Sequence, residues 1–304
     1  MTPDPTPIAV TSRSFSRHPV LRAELLERYS DVRFNDEGTS LRGDALVEFL
    51  SGRAKAITGL EPFDDATFER LPDLRVISRV GVGIDMVDIE AARRRGVELS
   101  VAAGANSRSV AELVVAFAIA LLRHVPAARD GLRDGGWSQP KGGTLSGRTV
   151  GVVGYGHVGR DVARLVRAFG CPVLAYDVRP VDEEGVTAMA DLDELLEAAD
   201  VVTLHVNLTD ETRGLIGASR LSLMKNGSVL INAARGGLVD EAALKDALRN
   251  GPLAGAALDV FEREPPTDRE LLELPNLLAT PHIGGSTEEA ILAMGRAAIA
   301  GLDP

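Results

Sequence analysis

The amino-acid sequence predicts an α/β protein with two doubly wound parallel-sheet domains. Short apolar runs of strand type alternate with amphipathic stretches of helix type from one end of the chain to the other, which is the pattern of parallel sheets covered by helices. The chain has 304 residues, more than the roughly 100–200 of one ordinary domain. Hydrophobic residues make up 45% and charged residues 25%, which is typical of a globular protein with a substantial core.

The first hundred residues alternate strand and helix patterns and predict one of the two domains. The predicted strands are residues 8–11, 32–34, 54–58, 74–80 and 97–101. The predicted helices are residues 21–29, 43–50, 65–71 and 89–95. The proline-rich start, residues 1–7, we expect to be disordered because it offers few apolar side chains to a core.

A second series of alternating elements predicts the other domain. Its predicted strands are residues 149–153, 173–176, 201–206, 228–232, 255–260 and 277–280. The predicted helices of this part of the chain are residues 110–122, 158–169, 192–199, 241–249 and 288–300. The longest apolar run, residues 113–122, is shorter than the roughly 20 residues of a membrane span and indicates a buried helix.

Composition excludes several classes of protein. The net charge of −11 disfavours a broad surface for nucleic acid or an anionic membrane. The single cysteine, Cys171, cannot form an internal disulfide or by itself a thiolate metal site, so we expect no metal and a reducing compartment. The first residues lack the basic and apolar regions of a secretory signal. We therefore expect a cytoplasmic protein.

A glycine-rich motif predicts a dinucleotide site. Gly154, Gly156 and Gly159 form GxGxxG between a predicted strand and a predicted helix, where backbone N–H groups and a helix N-terminus can hold a pyrophosphate. Asp177 ends the next predicted strand, where an acidic residue accepts hydrogen bonds from the adenosine ribose. His157 inside the turn could contact a phosphate or face solvent. The alternative is a tight turn with a solvated aspartate.

Three ionisable residues follow predicted strands of the second domain. Arg235, Glu264 and His282 each come shortly after a strand, at the sheet edge where open α/β sheets bind ligands. An arginine flanked by small residues can hold a carboxylate through two hydrogen bonds. A surface salt-bridge cluster is the alternative reading. Of the other histidines, we expect His18 and His124 at the surface and a structural or cofactor-contact role for His205.

The motifs in their order resemble the D-isomer-specific 2-hydroxyacid dehydrogenase family, and within it the D-3-phosphoglycerate dehydrogenases. The similarity covers nearly the whole chain and is strongest from residue 74 onward. The segments that carry it are residues 150–160 (VGVVGYGHVGR), 231–241, 257–265, 280–287, 79–85 (RVGVGID) and 105–112 (ANSRSVAE).

The resemblance implies a Rossmann NAD-binding domain at residues 101–286 and a flavodoxin-like substrate domain at residues 1–100 plus 287–304. It implies that Arg235 binds the substrate carboxylate and keto oxygen, that His282 is the general acid/base and that Glu264 orients it. The implied NAD-binding set is Gly154, Gly156, His157, Val158, Gly159, Asp177, Val206, Ala233, Ala234, Asp259, Gly284 and Gly285, with Asp259 on the nicotinamide amide. The implied substrate set is Arg79, Val82, Gly83 and Asn106.

The resemblance further implies a homodimer formed near residues 110–122 and a short form without the family's C-terminal regulatory domain. Departures from the family's phosphoglycerate enzymes point to a divergent substrate: the loop ITGLE at 57–61 lacks their Arg-Ser pair, and Asn207, Met86 and Ala102-Ala103 replace usual residues. The expected reaction is the NAD-dependent interconversion of a small D-2-hydroxy acid and its 2-keto acid, first of all phosphoglycerate. Hydroxypyruvate, glyoxylate and phosphonopyruvate are alternative substrates, and a nicotinamide-sensing corepressor is the alternative class.

Overall fold

The computed structural model describes residues 2–81, 83 and 86–303, and the predicted fold class is confirmed. The chain divides into two compact units. Unit 1 contains the residues up to Asn106 together with those from Gly285 onward, and unit 2 is Ser107–Gly284. The predicted boundaries lay at residues 100 and 286.

In its described residues, unit 1 is built around a parallel sheet with the strand order β2-β1-β3-β4-β5, which is the flavodoxin-like order. Its strands are β1 (Ile8–Val10), β2 (Val32–Phe34), β3 (Lys55–Thr58), β4 (Val76–Arg79) and β5 (Glu98–Val101). Its helices are α1 (Arg13–Arg17), α2 (Pro19–Arg28), α3 (Gly43–Leu50), α4 (Asp65–Glu69), α5 (Ile89–Arg94) and α13 (Glu288–Ala300).

Helices cover both faces of the unit 1 sheet. Leu46 of α3, Phe68 of α4 and Ala91 of α5 pack in one cluster, and Leu25 of α2 and Ile299 of α13 pack in the other. Buried parallel sheets of this kind are apolar on both sides, which explains why their strands read as continuous apolar runs in the sequence.

The structure corrects two expectations for unit 1. The start of the chain, expected to be disordered, is ordered at Asp4. This residue forms a parallel bridge with Tyr29, because its backbone hydrogen-bonds to that of Arg28 and Ser30. His18 is only 8% exposed rather than at the surface. Its Nδ1 accepts the N–H of Leu21 and its Nε2 lies 2.9 Å from a Glu288 carboxylate oxygen, so it begins α2 and ties it to α13.

Unit 2 has the strand order β12-β11-β10-β9-β6-β7-β8 in its described residues, which contains the Rossmann order. Its strands are β6 (Val150–Val153), β7 (Val173–Tyr176), β8 (Thr187–Ala188), β9 (Val201–Leu204), β10 (Val229–Asn232), β11 (Gly255–Leu258) and β12 (Leu277–Ala279). Its helices are α6 (Ser107–Leu122), α7 (Val125–Arg133), α8 (His157–Ala168), α9 (Leu192–Ala198), α10 (Ala218–Leu223), α11 (Glu241–Asn250) and α12 (Arg269–Leu272), and Gly236–Leu238 form a 3₁₀ turn.

Local sequence explains how these helices begin and pack. Asp240 begins α11 by accepting the N–H groups of Ala242 and Ala243, the usual role of an aspartate before a helix. In α8, Gly159, Val162 and Val166 are buried at helical spacing, so this helix packs one face against the sheet.

Among the described residues no single helix is both long and apolar enough to span a membrane. Helices α6 and α7 meet that test only as a pair, and a bend of 63° separates them. Nine residues of α6 are buried.

Candidate active site

The turn after β6 has a backbone that only glycine fits. Gly154 has φ 95°, and its N–H donates to the carbonyl of Tyr176 at 2.8 Å. A Cβ at this position would lie 2.6 Å from the carbonyl carbon of His205, and a Cβ on Gly159 would collide with the carbonyl of Gly154. The ends of β6 and β9 and the start of α8 therefore approach one another at distances that exclude side chains.

The beginning of α8 faces open space. Gly156 precedes the helix without a side-chain hydrogen bond to the helix backbone, and a Cβ built on it would meet nothing within 4 Å among the described residues. His157, the first helical residue, is exposed, while Val158 is half-buried against the core. Free N–H groups at a helix start favour an anion, so this turn fits a pyrophosphate.

Asp177 follows β7 next to the glycine turn. Its Oδ2 accepts the N–H of Tyr155 at 2.7 Å, and its Oδ1 accepts the N–H of Arg179 at 2.9 Å. Burial raises the pKa of this carboxyl, but these backbone hydrogen bonds and the Arg179 charge outweigh it and lower the pKa. The carboxylate is therefore ionised at neutral pH and retains acceptor capacity for ribose hydroxyls.

The ends of β9 and β10 present small or neutral groups. Burial lowers the pKa of His205 to about 3, so this histidine is neutral, and its Nε2 lies 2.9 Å from the hydroxyl of Thr203. Val206, Ala233 and Ala234 are half-buried beside the core. These positions offer apolar contact, which suits the flat faces of a bound dinucleotide.

Asn232 shapes the loop that carries Arg235. It is completely buried, its Nδ2 donates to the carbonyl of Arg235 at 2.8 Å, and its Oδ1 accepts the N–H of Ala234 at 3.1 Å. The Arg235 guanidinium donates to the carbonyl of Ala234 at 2.7 Å. Sequence reasoning missed Asn232, although a polar residue at the end of an apolar strand was the available signal.

The glutamate loop at 259–264 contacts both the arginine loop and the start of α11. A Cβ on Gly236 would collide with the main chain of Phe261, so the two loops touch backbone to backbone. Glu241 accepts the N–H of Glu262 at 2.7 Å. Burial raises the pKa of Glu241.

Glu264 and His282 form the central pair of the site. The Glu264 Oε2 lies 2.9 Å from the His282 Nδ1, and 36% and 35% of the two side chains is exposed. The hydrogen bond that His282 donates to Glu264 raises the pKa of His282, against the effect of burial and of Arg235. Burial raises the pKa of Glu264, but the hydrogen bond and charge of His282, the Phe261 N–H and Arg235 outweigh it and lower the pKa. The charged form of the pair is favoured.

Asp259 organises the loop that bears His282. The aspartate is 1% exposed. Its Oδ1 accepts the Thr280 hydroxyl at 2.6 Å and the Ile283 N–H at 2.8 Å, and its Oδ2 accepts the Gly284 N–H at 2.7 Å. His282 itself has φ 55°, and its N–H donates to the Asp259 carbonyl at 2.8 Å. These bonds hold the histidine in a left-handed backbone conformation, and Thr280 is a contributor that sequence reasoning missed.

The residues expected to contact substrate lie in unit 1. Arg79 ends β4 and is 2% exposed, Gly83 is half-buried, and Val82 lies outside the described residues. The side-chain oxygen of Asn106 is buried without a hydrogen-bond partner among the described residues. Gly285, expected in the cofactor domain, falls in unit 1, where a Cβ would lie 3.1 Å from the Asn106 Nδ2.

Comparison with known proteins bears directly on unit 2. Residues 115–284 match the family described as "D-isomer specific 2-hydroxyacid dehydrogenase, NAD binding domain".

Within the described residues, no group of three or more His, Cys, Asp or Glu is placed to hold a metal ion.

Relatives and solved structures extend the similarity over most of the chain. It is 45% identical over 233 residues to a D-3-phosphoglycerate dehydrogenase of Methanocaldococcus jannaschii, covering 75% of this chain and 44% of that protein. It is 39% identical over 259 residues to a glycerate dehydrogenase of Methylorubrum extorquens, covering 82% and 81%. The structure of a glyoxylate reductase from Paecilomyes thermophila superimposes with a TM-score of 0.86 at 28% identity, covering 99% and 94%.

The chain spans about half the length of the curated D-3-phosphoglycerate dehydrogenases that it matches, between 42% and 49%. It spans most of the length of the glycerate dehydrogenase and the glyoxylate reductase. These matches agree with the dinucleotide site that the glycine turn and Asp177 form in unit 2. The chain belongs to the D-isomer-specific 2-hydroxyacid dehydrogenase family, and residues 115–284 form its NAD-binding domain.

Proposed function

We propose that this protein is an NAD-dependent D-2-hydroxyacid dehydrogenase, which interconverts a small D-2-hydroxy acid and its 2-keto acid. The observation that carries the proposal is the Glu264–His282 pair at 2.9 Å, with the raised pKa of His282, on an NAD-binding domain. A protein that only senses nicotinamide has no need of a proton-transfer pair, whereas a dehydrogenase has.

The roles of the residues follow from their chemistry. The cofactor supplies the hydride in the reducing direction. Because Glu264 engages Nδ1 of His282, Nε2 is the ring nitrogen left to donate a proton to the keto oxygen, and in the oxidising direction the neutral ring accepts the hydroxyl proton. Arg235, whose charge acts on both members of the pair, binds the substrate carboxylate and stabilises the developing negative charge on the oxygen.

The proposed substrate is a small anionic 2-keto acid. Relatives named D-3-phosphoglycerate dehydrogenase, glycerate dehydrogenase and glyoxylate reductase suggest phosphohydroxypyruvate, hydroxypyruvate and glyoxylate as the first compounds to try, with phosphonopyruvate as a further one. On unit 1 we propose Arg79, Val82, Gly83 and Asn106 as the residues that bind it.

The experiment is the loss of reduced-nicotinamide absorbance when NADH and each of these 2-keto acids are mixed with the protein. The proposed function predicts turnover of at least one of them. Where the product has a stereocentre, as it has for every compound except glyoxylate, chiral chromatography should identify the D-isomer. NADH binding without turnover of any of them would contradict the proposal and favour the sensing class.

A homodimer in the cytoplasm is the proposed state. None of the described residues of α7 is buried, and Val125, Leu132 and Trp137 are 50%, 56% and 83% exposed. A cavity of about 240 Å³ lies between the end of α6, the start of α7 and the residues that precede β11 and β12. The exposed apolar residues follow α6, whose own apolar face is buried, so a second copy would bind at α7. A monomer in light scattering would exclude this assembly.

A further inference from the structure

The loop after β3 buries an acid and exposes a leucine. Glu61 is 8% exposed, whereas its neighbour Leu60 is 55% exposed. Carboxylates are rarely buried without a charged partner, and large apolar side chains are normally the ones that leave water. Burial and solvation alone favour the opposite arrangement, so the inward position of Glu61 points to a role other than stability.

The carboxylate of Glu61 has capacity for a ligand. Its Oε2 accepts the N–H of Gly59 at 2.6 Å, which is the one hydrogen bond that the described residues provide to it. A carboxylate has about four acceptor positions. A Cβ on Gly59 would lie 3.6 Å from this oxygen and 3.6 Å from the Cα of Ser12, so the glycine leaves the carboxylate close to the residues that follow β1.

This loop lies at the topological switch point of unit 1. In the strand order β2-β1-β3-β4-β5, the direction in which successive strands are added reverses between β1 and β3. Ser12 follows β1 and Gly59 follows β3. Open α/β sheets bind ligands in the crevice outside the carboxyl ends of the strands at this point. Glu61 is therefore placed where unit 1 is expected to bind a ligand.

A second polar group near this loop, the hydroxyl of Thr58, also has unused hydrogen-bonding capacity among the described residues. The hydroxyl of Thr58, the last residue of β3, is buried and has no hydrogen-bond partner among the described residues, which is unusual for a buried hydroxyl. Thr58 pairs in register with Arg79 across β3 and β4. The loop after β3 therefore offers an anionic acceptor and a hydroxyl at the edge where β3 ends.

We propose that Glu61 makes unit 1 selective for a 2-keto acid whose group beyond the keto carbon is a hydrogen-bond donor without negative charge, such as a hydroxyl or an ammonium, and that phosphorylated 2-keto acids are rejected. This inference rests on the proposed function and narrows its substrate. A phosphate carries up to two negative charges at pH 7, and a like charge beside a poorly solvated carboxylate is strongly unfavourable. The assignment is opposite to the phosphoglycerate substrate first expected from the sequence.

The first experiment compares two substrates that differ only in the phosphate. The value of kcat/KM for hydroxypyruvate should exceed that for 3-phosphohydroxypyruvate by at least about a hundredfold, because like charges in contact cost several kcal/mol. Equal values, or a preference for the phosphorylated compound, would overturn the inference.

Variants test whether Glu61 is the cause. Glu61→Gln keeps the shape and removes the charge, so it should narrow the ratio of the two kcat/KM values by at least about tenfold, mainly by raising that of the phosphorylated compound. Glu69→Gln, an exposed glutamate of the same unit, is the matched control and should leave the ratio unchanged. If a folded Glu61→Gln protein with normal NADH affinity kept the wild-type ratio of the two kcat/KM values, Glu61 would not be the cause of the selectivity, and the inference would be overturned.

A binding measurement gives the same answer without turnover. Calorimetric titration of the NADH-saturated wild type should detect D-glycerate and not 3-phospho-D-glycerate at equal concentration, and the reverse order would overturn the inference even if the variant fails to fold. A preference for phosphorylated compounds with normal turnover removes only this inference. Absence of turnover with every 2-keto acid removes the proposed function, and this inference with it.

Discussion

The two units place their chemistry at equivalent points of their sheets but build it differently. At the switch point of unit 2, the backbone dominates: Gly154 has φ 95°, and Asp177 is held by two main-chain N–H groups. At the switch point of unit 1, side chains dominate: Glu61 is 8% exposed and the Thr58 hydroxyl has no partner among the described residues.

The two kinds of site leave different traces in the sequence. A pyrophosphate needs N–H groups and a close approach of the backbone, and these requirements leave glycines at fixed spacing in the sequence. A variable substrate is selected by individual side chains, which leave no fixed spacing. The cofactor site is thus readable as a motif, while the substrate site requires the structure.

Removal of the proposed acid/base should have the largest effect. If proton transfer depends on unit 2 alone, His282→Ala should lower kcat for 2-keto acid reduction by roughly 10²–10⁴. NADH affinity, measured by nicotinamide fluorescence, should stay nearly unchanged because the glycine turn is untouched. Near-normal turnover would remove His282 from the mechanism.

Arg235→Lys tests whether the carboxylate is held on unit 2. Lysine keeps the charge but loses the planar pair of donors, so kcat/KM should fall by a factor corresponding to roughly 2–4 kcal/mol. Arg249→Lys at the end of α11 is the control and should have no effect. An unchanged kcat/KM in the Arg235 variant would mean that a residue of unit 1 binds the substrate carboxylate, with Arg79 as the next candidate.

Cofactor choice should show a smaller effect at the unit 2 switch point. The lowered pKa of Asp177 keeps a negative charge where NADP carries its additional phosphate, so NADH should be preferred over NADPH by at least about tenfold, or roughly 1.4 kcal/mol. Arg179, which could hold that phosphate, is 75% exposed and lies 3.4 Å from the Asp177 carboxylate.

The variant Asp177→Ala should narrow this preference, mainly because it weakens the binding of NADH. Comparison of kcat/KM for the two reduced cofactors in wild type and variant is the measurement. Equal or higher kcat/KM with NADPH in the wild type would refute Asp177 as the ribose ligand.

Much of the fold followed from the sequence, and the errors have physical causes. Apolar residues continue past the hydrogen-bonded strands, so the predicted strands at 201–206 and 255–260 were too long; β9 ends at Leu204 and β11 at Leu258. Helix α7 was missed because Pro126 and Gly131 lower its helix propensity, and α12 was missed because four residues are too few to show a period.

The candidate site was predictable only in part. The rule that ligands bind at the carboxyl ends of strands, with the family resemblance, pointed to Arg235, Glu264 and His282. Thr280 and Asn232 were missed because their importance lies in hydrogen bonds within loops, and spacing does not predict loop geometry. Glu61 was noticed only as a departure from the family, since burial of a loop residue cannot be read from its type.

The smallest expected effects are those of pH. The raised pKa of His282 stabilises the fold below its unfolded value of about 6.5, and this contribution is lost as pH rises through the folded value. The lowered pKa of Glu264 stabilises the fold above about 4.3, and this contribution is lost as pH falls through the folded value. The free energy of unfolding lost in Glu264→Gln, measured by urea titration, should therefore be largest between these two values.

The exposed Glu197 of α9 gives the control, because Glu197→Gln should show no such pH dependence. A loss in Glu264→Gln that is independent of pH would mean that the pair contributes through packing and not through charge.

The proton-transfer role of the pair is tested most directly by the pKa of His282 itself, measured by NMR on the imidazole protons and compared with the pH dependence of kcat/KM for 2-keto acid reduction. We expect both to titrate together above pH 6.5 in the wild type, because reduction needs the protonated ring, and both to move to lower pH in Glu264→Gln. Proton transfer by this pair would be contradicted by a His282 pKa at or below 6.5 in the wild type, or by a pH dependence of kcat/KM that does not shift when Glu264 loses its charge.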